Sequence, residues 1–88
     1  MTAKEAARMI DISAVRTQHG LSDIQNVIDI AKQYRFINVH SLPCWTKTVS
    51  DLLKDEPDIY VGAPVGFPGG AHKTSVKMLE AEELIRDG

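Results

Sequence analysis

One cysteine, Cys44, is all the thiol chemistry this chain offers, so no internal disulfide can staple it. A reducing cytoplasm is the expected compartment. Excess positive charge is also missing. Ten basic residues meet twelve acidic ones, for a formal charge of -2, which leaves no electrostatic footprint for nucleic acid. No window approaches the ~18–20 consecutive apolar residues of a membrane span. The opening MTAKEAARM lacks the apolar core and small-residue site of a signal peptide. Low-complexity tracts, internal sequence repeats and an interdomain linker are absent too. Hydrophobic residues make up 43% and charged residues 25%, an ordinary globular balance far from the disordered class. Eighty-eight residues suffice for one domain at most.

The pattern that is present alternates strand and helix. Thr2 and Glu5 have capping-box spacing and predict a short helix over residues 2–8. Residues 9–15, MIDISAV, read as a first strand. Ile10, Ile12 and Ala14 share an apolar face suited to a covering helix. Met9, Asp11, Ser13 and Val15 share a mixed face, suited to a barrel interior near its open end. A helix over 23–34 follows, with Ser22 as its expected cap, Leu21 as a staple, and Ile24, Val27, Ile28 and Ala31 as its buried stripe. A second strand spans 36–42 and Pro43 ends it. Thr46 is the expected cap of a helix over 46–54, which Asp55-Glu56-Pro57 breaks. A third strand spans 58–65. The turn Gly66-Phe67-Pro68-Gly69-Gly70 then leads, with Thr74 as cap, into a helix over 75–86. Helical crossovers of this kind require parallel strands with right-handed connections. The fold class is therefore α/β, three successive βα units of a barrel-type domain.

Several residues invite chemistry. Asp11 lies in an otherwise apolar strand. It either takes part in proton transfer or orients a lysine, or it accepts loop N–H groups at a strand end. Ser13, two residues on, shares its face. His40 falls at the end of the second strand, as a candidate for an active-site wall. GFPGGAHKT resembles a phosphate loop but has His72 where the nucleotide-binding pattern requires glycine before the lysine. A generic anion contact on the N–H groups of Gly69, Gly70 and Ala71 is left open, on the ground that helix starts attract anions. A tight loop that needs glycine dihedrals is the competing reading. His19, His40, Cys44 and His72 lack the spacing of a metal site, and no metal is expected. Cys44 is expected to be a buried thiol. Trp45 either lines a pocket or covers a helix end. Nothing in the sequence makes Lys73 or Lys77 a nucleophile.

Three stretches together resemble the N-terminal portion of deoxyribose-phosphate aldolase, a class I aldolase with a TIM barrel. They are Ile10-Asp11-Ile12-Ser13, Asn38-Val39-His40-Ser41-Leu42-Pro43, and Val65-Gly66-Phe67-Pro68-Gly69-Gly70-Ala71 with Thr74-Ser75-Val76-Lys77 and Glu80-Ala81. The last is the most specific, and the resemblance runs over nearly the whole chain. It implies reversible cleavage of 2-deoxy-D-ribose 5-phosphate through an imine on an active-site lysine, without metal or organic cofactor. It places Asp11, Ser13 and His40 at the active-site wall, with Ser13 and His40 standing where members commonly carry threonine and cysteine. The imine-forming lysine, its assisting lysine and the phosphate loops belong to later strands, and Lys77 matches a structural lysine. The 88 residues are accordingly expected to be inactive alone, ending between units after Gly88. They are expected to need a complementary C-terminal portion or self-association, because a third strand with nothing beside it is an open edge. Two other readings stay open: a small α/β protein-association module, and a sugar-phosphate-binding module.

Overall fold

The computed structural model describes residues 1–88. The elements are α1 (Ala3–Ala7), β1 (Asp11–Ala14), α2 (Leu21–Tyr34), β2 (Asn38–Ser41), a 3-10 turn (Pro43–Trp45), α3 (Thr46–Leu52), β3 (Tyr60–Gly62) and α4 (Thr74–Asp87). The three strands form one parallel sheet in the order β1-β2-β3. Each strand is shorter than the sequence reading. The ladder starts at Ile37, whose N–H donates to Ile10 O and whose carbonyl accepts from Tyr60 N. At the other end Pro43 opens the 3-10 turn, and β3 stops two residues before Pro64, which has no N–H for a ladder.

The first cap forms as its sequence predicts. Glu5 N donates to Thr2 Oγ1 at 3.1 Å and Thr2 N donates to the Glu5 carboxylate at 3.3 Å. The other three expected caps are displaced. Gly20, not Ser22, caps α2, because the Asp23 carboxylate reaches back to accept from Gly20 N at 2.8 Å. Leu21 is thereby the first helical residue and is exposed rather than a staple. Thr46 is buried as the first residue of α3, because the Pro43–Trp45 turn runs straight into that helix. Its hydroxyl has no partner. Lys73 occupies the cap position of α4, and Thr74 lies inside the helix.

The core sits between one face of the sheet and α2 with α3. Ile24, Ile28, Val39 and Val49 are completely buried, and Ala14, Leu53 and Ile59 close the cluster. Each large aliphatic side chain sealed here is worth about 1.5–3 kcal/mol. The period-2 alternation explains the sidedness. Val39 and Ala14 point toward the helices, while Asp11 and Ser13 point to the open face. α4 is different: only Leu84 is buried, while Val76, Met78, Leu79 and Ile85 are each more than half exposed. A shallow groove of about 370 Å³ runs between this helix and the β3 edge, lined by Val61, Val65, Ala81 and Ile85.

A charged clamp closes the end of the sheet where the strands begin. Arg8 donates to the carbonyls of Arg35 and Phe36, each at 3.1 Å, and to the carbonyl of Asp58 at 2.7 Å. Arg35 ends α2 in the left-handed conformation, with φ of 59°, and its guanidinium pairs with Glu56 at 2.8 Å and with Asp58. The hydrogen bond from Arg35 holds the Asp58 carboxyl below the usual carboxylate range, and donating to Asp58 and then to Glu56 pushes Arg35 higher. The clamp ties the end of α1 to the segments that lead into β2 and β3.

Candidate functional site

The side of the sheet opposite the helices carries polar groups in two layers, Asp11 and Asn38 where the strands begin and Ser13 and His40 nearer their C-terminal ends. In a barrel of βα units this is the interior, and its mouth is where chemistry occurs. The parallel register sets the residues in two layers. Asp11 is level with Asn38 and Tyr60, and Ser13 is level with His40 and Gly62. Asn38 Nδ2 donates to Asp11 Oδ1 at 2.9 Å. Gly62 leaves a space that its neighbours use: a Cβ there would lie 2.5 Å from His40 Nδ1 and 2.7 Å from Asn38 Nδ2. Asp11 and Ser13 are exposed and His40 is half-buried, so the structure brings the three proposed wall residues onto one face. Asp11 accepts from a side-chain amide rather than from loop N–H groups.

The loop after β3 is fastened to α4. Gly66 has φ of 68°, and its N–H donates to Glu80 Oε1 at 2.7 Å. Gly70 N donates back to Gly66 O at 2.6 Å, and Lys77 Nζ donates to Gly70 O at 2.8 Å. The Phe67-Pro68 peptide is cis. The anion contact on Gly69, Gly70 and Ala71 therefore loses its original ground. The Gly70 N–H is already used inside the loop, and α4 begins at Thr74, beyond all three residues. Lys77 serves the loop and Lys73 is exposed in solvent.

Other sequence candidates scatter. Cys44 is exposed, not buried, because the 3-10 turn swings it outward. Trp45 packs against the core. His19, His40 and His72 do not gather, and no group of three or more His, Cys, Asp or Glu side chains forms a ligand set. None of the three strands carries a lysine. Sequence reasoning passed over Asn38, Gly62 and Glu80. Asn38 was legible in principle, since it lies two residues before His40 and so shares its face. Gly62 and Glu80 depend on register and loop path, which have no local signal.

Known proteins similar to this chain are aldolases. No family model matches the chain. It is 42% identical to a deoxyribose-phosphate aldolase from Klebsiella pneumoniae, covering 99% of this chain and 36% of that protein. It is 38% identical to one from Sinorhizobium medicae, covering 100% and 36%. The chain thus spans about a third of the length of the curated relatives it matches. Its backbone superposes on that of a deoxyribose phosphate aldolase from Aeropyrum pernix, described as tetrameric, with a TM-score of 0.88 at 24% identity, over 99% of this chain and 37% of that one. A solved aldolase called QR15 gives a TM-score of 0.84 at 29% identity, over 93% and 36%.

Proposed function

We propose, from a chain related along its whole length to deoxyribose-phosphate aldolases, that it is the N-terminal part of a class I aldolase. The reaction is reversible cleavage of 2-deoxy-D-ribose 5-phosphate to acetaldehyde and glyceraldehyde 3-phosphate. The observation that carries this reading is the end-to-end match in sequence, joined to the placing of Asp11, Ser13 and His40 on one open sheet face. A lysine amine condenses with the C1 aldehyde and releases water. The C3 hydroxyl gives up its proton, the C2–C3 bond breaks, and its electron pair passes to the imine. A carboxylate and a hydroxyl side by side, as at Asp11 and Ser13, suit holding that proton or the water that carries it. This chemistry asks for no metal or organic cofactor, because the protonated imine is the electron sink.

No strand here carries a lysine, so the imine-forming amine belongs to another part of the enzyme, and residues 1–88 do not cleave the sugar alone. The same part, or a second copy of this chain, covers the β3 edge and the apolar side of α4. A cytoplasmic setting belongs to the same reading, with the exposed thiol of Cys44 as its motive. No helix is long and apolar enough to cross a membrane. The test is borohydride trapping of the full-length gene product with its substrate. The expected result is a reduced adduct on a lysine outside residues 1–88, with no turnover by the 88 residues. An adduct on Lys73 or Lys77, or cleavage by residues 1–88 alone, would overturn the proposal.

A further inference from the structure

Asn38 and Gly62 stand among the three wall residues without touching a reacting group in the scheme above. The Asn38 amide gives one N–H to Asp11 Oδ1 at 2.9 Å. That bond fixes one carboxylate oxygen and leaves the other to receive a proton donor from outside. Gly62 acts by what it lacks. A side chain at 62 would overlap His40 Nδ1 at 2.5 Å and the Asn38 amide at 2.7 Å, so both groups occupy the place over β3 that a Cβ would take. Ser13, level with His40 on the neighbouring strand, stays exposed. The result is an ordered row: carboxylate and hydroxyl open on β1, imidazole drawn aside toward β3.

We infer that Asn38 and Gly62 are positioning residues of the site, Asn38 aiming the Asp11 carboxylate and Gly62 seating the His40 ring clear of β1. The arrangement suits a small hydroxy-aldehyde, whose hydroxyl meets Asp11 and Ser13 together while the imidazole bounds the other side. The inference rests on the aldolase reading for its substrate, but its geometry is measurable without turnover. Errors near 1 Å in such a constellation cost on the order of 10²-fold in rate.

The test uses the full-length protein in two arms. In the kinetic arm, Asn38→Ala is expected to lower kcat for deoxyribose 5-phosphate cleavage about 10- to 100-fold while KM moves less than about threefold. Asn38 acts through Asp11, so adding Asn38→Ala to Asp11→Asn is expected to cost nothing further; losses that multiply would overturn its role. In the spectroscopic arm, Asp11→Ala is expected to shift the Asn38 side-chain amide signals and speed their exchange with solvent. Gly62→Ala is expected to shift the His40 ring signals, with backbone signals away from the sheet unchanged. Amide and ring signals that stay in place would overturn the inference, whatever the enzyme's activity. An inert wild-type protein would sink the aldolase reading, while the spectra would still decide the positioning.

Discussion

Arg8→Ala is the perturbation that most directly probes how the sheet is held. The guanidinium makes three hydrogen bonds to carbonyls: Arg35 O and Phe36 O at 3.1 Å and Asp58 O at 2.7 Å. A hydrogen bond from a charged donor is worth about 1.5–3 kcal/mol where water is excluded. Here the first two bonds are part-buried and the third is exposed. Water can replace the third at little cost, and the first two share one nitrogen. A net loss of about 2–3 kcal/mol follows, a large fraction of the roughly 5–15 kcal/mol that stabilises a folded protein. Urea unfolding followed by far-UV circular dichroism measures it. The midpoint is expected to fall with the slope unchanged, since the surface exposed on unfolding is the same. Arg8→Lys recovers less than half, because an ammonium cannot fork between strands as a planar guanidinium does. A loss below about 0.5 kcal/mol for the alanine variant, the range of ordinary surface changes, would refute this account of the clamp.

Three further predictions follow from other elements. Gly66→Ala is expected to destabilise by about 1–3 kcal/mol, from the left-handed backbone and from a Cβ 2.9 Å from Lys77 Cδ. Gly69→Ala, where nothing lies within 4 Å, is expected to stay within about 0.5 kcal/mol, and thermal unfolding of the two compares them. Because the folded Asp58 carboxyl titrates below its ordinary range, its pairing is intact above the unfolded value of about 3.9 and is lost as pH falls through the folded one. Asp58→Asn should therefore flatten the acid limb of the stability curve below about pH 4, and added salt should weaken the wild-type effect, as read by denaturation across pH. Ile85→Lys is expected to change the stability of residues 1–88 by less than about 0.5 kcal/mol, since Ile85 is 80% exposed. In the full-length protein the same change should reduce soluble yield or melting temperature, and equal tolerance in both would contradict a covered α4 face.

The alternation of strands and helices was legible because hydrophobic spacing is local: Ile24, Ile28 and Ala31 mark one face of α2 with no help from the rest of the chain. That Asp11 and Ser13 share one face of β1 was legible for a similar reason, from the period-2 spacing of a strand. Cap positions misled where two residues competed. Asp23 reached backward and moved the start of α2 to Leu21, past Ser22. The 3-10 turn did the same to Thr46, and it also turned Cys44 outward. Contacts that join distant segments left no trace in the sequence. The Arg8 clamp bridges 50 residues, and the seat for His40 at Gly62 exists only once β2 and β3 are in register.

The Arg8 tie has a bearing on the order of assembly. Its partners are backbone oxygens of residues 35, 36 and 58, which exist as a cluster only after the third strand has been synthesised and paired. α1 precedes these partners in the chain, yet five residues are too few to hold a helix in water unaided. It must wait, unanchored, for some fifty residues of later chain. The end of α1 thus acts as a latch whose catch is assembled from segments far later in the chain.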